Sequence, residues 1–174
     1  MFVSSFPPIV GNNPQLLILG SMPGGESLRK GQYYAHPRNL FWRVMGVLCG
    51  AGPELPYPAR IEKVKAAGVA LWDVLKHCER EGSLDSSIRP ETEIPNELAV
   101  FLRTHSSIHL TAFNGQKAAS TFERRVAPTL VDEVRDRVRF VTLPSTSPAN
   151  AYRTWEQKLA VWQRELGLYL AFKE

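Results

Sequence analysis

Residues 16–42 read LLILGSMPGGESLRKGQYYAHPRNLFW. Leu16–Leu19 is an unbroken apolar run bounded by Pro14 and Gly20. A run without polar alternation marks a strand buried on both faces, as in a parallel sheet. It stops at Gly20, and Pro23, Gly24 and Gly25 follow. Then come paired tyrosines, a His-Pro step, Arg38 and Asn39. Leu40, Phe41, Val44, Met45 and Leu48 next recur at helical spacing. Asn39 is suited to cap that helix, and Gly50 and Gly52-Pro53 end it. The connection from Gly20 to Arg38 reads as one long loop, and long loops in compact folds usually carry function. Turn residues, aromatics, amides and cations crowd together here, so the stretch reads as the floor and wall of an active-site pocket.

The strand signal recurs three times. Val69–Trp72 ends in Asp73, Ile108–Phe113 ends in Asn114-Gly115, and Arg139–Leu143 runs into Pro144–Ala151. Helical patterns lie between them. Ala59–Ala67 closes at Gly68. Pro95 starts a helix carrying Leu98, Phe101 and Leu102, and another runs through Ala118, Phe122 and Val126. Tyr152–Leu170 reads as a long C-terminal helix with Trp155, Leu159, Trp162 and Leu166 on one stripe. The three prolines within residues 1–14 predict an irregular lead-in. Val74–Cys78 is expected to be a short helical piece, Glu79–Thr92 a polar loop, and residues 127–138 to hold a short extra helix. Four apolar strands separated by helices specify an α/β fold: a three-layer α/β/α domain with a central four-stranded parallel sheet, spanning residues 1–174. Every strand's C-terminal end then lies on one edge, where such folds bind ligands. The loops at that edge begin at Gly20, Asp73, Asn114 and Pro144.

Composition narrows the class. The 174 residues are 44% hydrophobic and 22% charged, as in ordinary globular proteins. A net charge of +4 leans mildly towards an anionic partner such as nucleic acid. The two cysteines, Cys49 and Cys78, form no C-x-x-C pair, and the four histidines show no metal-ligand spacing. Neither a structural zinc nor an iron–sulfur cluster is expected. No apolar run approaches the ~18 residues of a membrane span, and the N-terminus lacks the charged and apolar regions of a signal peptide. A cytoplasmic monomer is the expectation.

The motifs exclude two chemistries. Gly20–Ser27 (GSMPGGES) nearly spells a nucleotide-binding loop, but Glu26 stands where that loop needs lysine, and a carboxylate would repel a triphosphate. There is no G-x-S-x-G, which argues against a serine esterase. The glycines either let backbone N–H groups approach a ligand or only shape a turn. In Tyr33–Trp42, a tyrosine ring can stack on a nucleobase, worth ~1–3 kcal/mol per base, and an amide at a helix start can donate and accept in fixed geometry. The plainer alternative makes the tyrosines half-buried aromatics and Asn39 only a cap. His36 is weighted towards a structural role.

In this order, GSMPG, YYAHPRNLFW and LPSTSPANA resemble the uracil-DNA glycosylase superfamily. They are similar to its mismatch-specific uracil/thymine members, and the hypoxanthine-DNA (deoxyinosine) branch resembles them most. Mismatch-specific members carry G-I-N-P-G, F-A-H-P-x-N-x-F-W and L-P-N-P-S-G-L-N. The asparagine of the first motif, which positions water in that family, aligns with Met22, and a thioether cannot do that job. The deoxyinosine branch lacks it too and relies on the asparagine of H-P-x-N, here Asn39. The resemblance therefore implies a monofunctional glycosylase that hydrolyses the N-glycosidic bond of deaminated bases in DNA, hypoxanthine first, and so initiates base excision repair. It implies no cofactor, no metal and no membrane; the partner is DNA with deaminated or mispaired bases.

By the same resemblance Asn39 is catalytic, either orienting water or stabilising the departing base. Gly20, Ser21, Met22, Pro23, Gly24, Tyr34, Asp73 and Asn114 are expected to bind the base. Asp73 would accept from a ring N–H or orient water, or else cap the piece after it; Asn114 would read the base edge, or else stabilise its turn. Ser145, Thr146, Ser147, Ala149, Asn150, Arg38 and Arg153 are the expected DNA contacts. Alanine at 149 is a poor wedge, so plugging of the duplex falls to Asn150 or Tyr152 if it occurs. Arg29 and Lys30 are placed near the mouth; Arg124, Arg125 and Lys158 are read as a solvated face. Two alternatives stand: a G:U/T mismatch-specific uracil-DNA glycosylase, or a catalytically impaired DNA-binding relative, which Met22 favours.

Overall fold

All four apolar runs are strands of one parallel sheet. The computed structural model describes residues 1–171. In chain order its strands are β1 (Phe2–Ser4), β2 (Leu16–Gly20), β3 (Val69–Asp73), β4 (Leu75–Glu79), β5 (Ile94–Pro95), β6 (Leu110–Asn114) and β7 (Arg139–Leu143). Its α-helices are α1 (Gly25–Lys30), α2 (Phe41–Cys49), α3 (Tyr57–Ala66), α4 (Leu98–Thr104), α5 (Gln116–Arg125), α6 (Asp132–Arg137) and α7 (Trp155–Leu166). The main sheet has the order β3-β2-β6-β7.

β2 is central and buried along its whole length, which is why its sequence shows no polar alternation. Its side chains still alternate between faces. Leu16 and Ile18 join a core with Phe41, Trp42, Val64 and Trp162 from α2, α3 and α7. Leu17 and Leu19 join the opposite core with Leu98, Phe122 and Val134 from α4, α5 and α6. These two cores are the two interfaces of the α/β/α sandwich.

The register puts the functional candidates side by side. Gly20 pairs with Asp73 across β2–β3, and Asn114 pairs with Leu143 across β6–β7.

Five expectations need correction, the simplest being the helix start: Pro95 lies in β5 and α4 starts at Leu98. Val74–Cys78 does not form a helical piece: Leu75–Glu79 is strand β4, antiparallel to β1 (Val3 opposite Cys78) and to β5. Leu75 and Cys78 are buried while Lys76 is exposed, and pairing of the first residues with β4 also turns part of the lead-in into strand β1. The Gly20–Arg38 loop contains α1, closed by left-handed Gly31 and laced by Glu26 to Arg29 and Lys30. The C-terminal helix begins at Trp155, because Thr154 and Gln157 form a capping box.

The stretch between β4 and α4 is fastened by Glu93. Its buried carboxylate takes Lys117 at 2.6 Å and Arg124 and Arg125 at 3.5 and 3.4 Å. Arg124 and Arg125 are therefore anchors, not a plain solvated face.

Candidate active site

The site is built where the C-terminal ends of β2, β3 and β6 meet three loops. The first loop, Gly20–Gly24, is clamped through its carbonyls by the segment that follows β3. Val74 N–H donates to Gly20 O (2.8 Å), Leu75 N–H to Ser21 O (3.1 Å), and the buried Arg80 guanidinium to Pro23 O (2.7 Å). Ser21 Oγ donates to Asp85 Oδ1 at 2.6 Å, and Gly25 N–H to Ser83 Oγ at 2.8 Å. The N–H groups of Ser21, Met22 and Gly24 find no acceptor among the described residues. The Met22 side chain is buried with Leu75, Cys78 and Ile88 under the small sheet. Its thioether is a packing group, and only its backbone is left for a ligand.

Gly20 is required by close approach. A Cβ there would lie 2.6 Å from Asp73 Oδ1 and 3.2 Å from the Tyr34 hydroxyl. Among the described residues Tyr34 is the one non-glycine with positive φ (54°), a conformation worth roughly 1–2 kcal/mol of strain. Its ring stacks on Phe41 at 3.9 Å and 21°, and Phe41 packs edge-on against Trp42 and Trp162. The hydroxyl is sealed from solvent without a hydrogen-bond partner. Burial and the Asp73 carboxylate push its pKa up, with the Asn114 amide opposing in part, so it stays a neutral phenol. The paired tyrosines thus separate. Tyr33 is structural: its hydroxyl donates to Pro7 O, and its carbonyl accepts from Trp42 Nε1.

Asp73 is buried at the end of β3 with no helix after it to cap, which removes one of its two expected roles. Neither carboxyl oxygen has a hydrogen-bond partner among the described residues, and Oδ2 is sealed from solvent. Desolvation, with Asp85 adding to it and Arg80 opposing, pushes the pKa up to about 7.

Asn39 caps α2 from two residues ahead: Oδ1 accepts from Phe41 N–H at 2.9 Å. That bond fixes which end of the amide is which, and Nδ2 is left without an acceptor among the described residues. The turn that carries Asn39 is closed by Asn39 N–H to His36 O (2.9 Å), while His36 Nδ1 accepts from Arg38 N–H (3.1 Å).

Asn114 makes a contact that neither expectation included. Its Oδ1 accepts from Thr146 N–H (3.0 Å) and its Nδ2 donates to Thr146 Oγ1 (2.9 Å), so the amide ties β6 to the last loop. Gly115 beyond it takes φ 98°, and a Cβ there would meet Ser145 at 3.0 Å. Thr146 is fully buried and its carbonyl accepts from Leu40 N–H at 3.0 Å. It is a joint between loops, which corrects its expected place among the DNA contacts. Ser145 and Ser147 accept from Ser147 N–H and Ala149 N–H, leaving their hydroxyl protons to donate elsewhere. Ala149 is exposed, Asn150 Oδ1 is sealed, and Tyr152 stands 71% exposed with Arg153 over its ring. Asn150 is therefore a poor candidate for a wedge. Arg38 and Arg153 are exposed, whereas Arg29 and Lys30 are engaged by Glu26. A cavity of about 350 Å³ opens beside this loop, lined by Gln116, Ser145, Asn150, Tyr152 and Arg153 among others; Asn39, Tyr34 and Asp73 are not part of it.

With this geometry in place, comparison with known proteins is informative. The family model described as the uracil DNA glycosylase superfamily matches residues 7–166. The chain belongs to that superfamily. Two curated relatives are named hypoxanthine DNA glycosylase. One, from Methanosarcina barkeri, is 42% identical over 65% of this chain and 71% of its own length. The other, from Methanosarcina acetivorans, is 40% identical over 68% and 74%. A solution NMR structure from Methanosarcina acetivorans, of a protein whose name provisionally assigns it as a uracil DNA glycosylase, superposes with a TM-score of 0.76. The match is 33% identical and covers 94% of this chain and 96% of that one.

Within this superfamily member, sequence reading missed the supports of the site. Lys158 is buried, not solvated: Nζ donates to Ser145 O at 2.7 Å and to Asn150 O, holding the last loop from below. Burial lowers its pKa. Lys158, Trp162 and Leu166 are spaced four apart on the buried face of α7, so helical periodicity alone contained the signal. Arg80 and Asp85, which hold the first loop, carried no comparable signal.

Proposed function

We propose that this glycosylase removes hypoxanthine from DNA. The bond between C1′ of the sugar and N9 of the base breaks. Water supplies hydroxyl to C1′ and a proton to the base, leaving an abasic site and free hypoxanthine. The relatives named hypoxanthine DNA glycosylase support the substrate, and the burial of Met22 supports a site in which the first loop offers backbone only.

The observation that carries the mechanism is the Asn39 amide. Its oxygen is engaged by Phe41 N–H and its nitrogen is free, so the group it presents is a donor. The sugar develops oxocarbenium character as the bond loosens, and charge accumulates on the departing base, where preorganised donors are most effective. Asn39 Nδ2 and the Ser21, Met22 and Gly24 N–H groups are those donors. Tyr34, its ring fixed by stacking on Phe41, lines the pocket that takes the flipped base. The free hydroxyl protons of Ser145 and Ser147, with Arg38 and Arg153, meet the phosphates and set register without reading sequence. Ala149 and Asn150 line the loop without entering the duplex. The protein acts as a monomer.

The test is incubation with duplexes carrying one deoxyinosine, uracil or xanthine, followed by alkali to reveal abasic sites. Deoxyinosine is expected to be the best substrate, and Asn39→Ala to lower its single-turnover rate by about 10²–10³, the scale of losing one such donor. An unchanged rate in Asn39→Ala removes the mechanism. Tight binding of deoxyinosine duplex with no base release would select the impaired relative, the reading that Met22 favours.

A further inference from the structure

Two polar groups at the centre of the site satisfy nothing in the protein. The Tyr34 hydroxyl and Asp73 Oδ2 are both sealed from solvent and both unpaired. Leaving a buried polar group unpaired costs about 1–3 kcal/mol, and native proteins rarely do so. Here the chain arranges it three times over. Tyr34 takes a strained backbone to bring its hydroxyl in. Position 20 gives up its side chain, since a Cβ there would collide with Asp73 Oδ1 and crowd the hydroxyl. Asp73 sits at the strand edge where α/β folds bind ligands, with no cap or ion pair to make. What sets this pair apart from the other unpaired buried atoms is that they lie together at the strand edge, against a position kept free of a side chain. Unpaired, they are shaped for the polar edge of a ligand.

The chemistry of that edge follows from the groups. A neutral carboxyl offers an O–H donor beside a C=O acceptor. A lactam offers the reverse, C=O beside N–H, and the two close a ring of two hydrogen bonds. In hypoxanthine this edge is O6 with N1–H. An ionised carboxylate would accept from N1–H but would face O6, and the negative charge of the departing base, with repulsion. We propose that Asp73 works as a neutral acid, and that with the Tyr34 hydroxyl it grips the lactam edge of the flipped base, its O–H hydrogen-bonding to the base oxygen as charge builds there. This rests on the hypoxanthine glycosylase reading and adds a specificity-determining residue to it. The carboxyl's pKa, raised to about 7 by burial, agrees. The charged and titratable groups acting on it are Asp85, which favours the acid form, and Arg80, which opposes it; Tyr33 and Tyr34 lie within its field.

The experiment is a pH series of single-turnover deoxyinosine excision with wild type, Asp73→Asn, Asp73→Ala and Tyr34→Phe. A carboxamide also sets N–H beside C=O but does not titrate. Wild type is expected to lose about tenfold per pH unit above its ionisation. Asp73→Asn is expected to stay within about tenfold of wild type at pH 6 and to be flat to pH 9. Asp73→Ala is expected to fall at least ~100-fold, and Tyr34→Phe to fall ~10-fold with the inflection kept. A flat wild-type profile, a profile unchanged in Asp73→Asn, or Asp73→Asn as inactive as Asp73→Ala overturns the assignment. If no duplex is cleaved by any variant, the glycosylase reading itself fails. NMR titration with free hypoxanthine then decides the pair: binding that weakens above pH 7 in wild type but not in Asp73→Asn upholds it, and no binding at either pH overturns it.

Discussion

Asp73 should leave a mark on stability that is measurable without any DNA. Its carboxyl titrates near 3.8 in an unfolded chain and at about 7 in the fold. The folded pKa is the higher, so the folded state binds the extra proton between these values. Stability from this group is therefore complete below about pH 4 and is lost as pH rises through about 7. At 1.36 kcal/mol per unit, the loss between pH 5 and pH 8 is about 3 kcal/mol. Other groups titrate over the same range, so the quantity to measure is the difference between wild type and Asp73→Asn, which cancels them. Asn keeps the shape and cannot ionise. Urea denaturation at half-unit steps from pH 5 to pH 8 should show the wild-type midpoint falling relative to the variant by about 1 M in total, given an m-value of ~2–3 kcal/mol per molar. A difference that does not change with pH, or that grows in the opposite direction, refutes the claim that the fold holds this carboxyl in its neutral form.

Gly20→Ala should destabilise by about 1–3 kcal/mol, the usual range for overpacking, because its Cβ would lie 2.6 Å from Asp73 Oδ1. In an Asp73→Ala background the loss should be less than half as large, and additive urea midpoints would show that the collision is not the cause. Lys158→Ala removes a charged donor from two loop carbonyls, worth about 1.5–3 kcal/mol for each such bond. It should speed amide exchange at Ser147, Ala149 and Asn150 selectively; uniform acceleration across the protein would mean that Lys158 supports the global fold and not this loop.

The parallel sheet was legible because a central strand announces itself. Leu16–Leu19 has no polar residue to spare, and the other three runs share its character. The small sheet was hidden because its strands are short and their alternation is broken by His77 and by the prolines after β1. In the site, Asn39 and Tyr34 stood out because their motif groups them in sequence. Asp73 stood out only as a strand end, and its environment comes from Gly20, Tyr34, Arg80 and Asp85, which the fold gathers from distant positions. Asn114 and Thr146 show the limit of motif reading. Residue type offered Asn114 a ligand or its own turn and Thr146 a ligand, and did not show that their side chains bond to each other.

That pairing has a mechanical consequence. Thr146 is bonded on one side to the Asn114 amide at the end of β6, and on the other to the N–H of Leu40, the neighbour of Asn39. The loop we assign to the duplex and the turn bearing the amide we propose as catalytic thus share one hydrogen-bonded link through Thr146. On this proposal, a displacement of the loop by DNA would pull on the start of α2, and seating of the duplex would set the aim of Asn39. Substrate grip and bond cleavage would then be geared together, and a substitution confined to the loop should show its effect in the rate of the chemical step as well as in affinity.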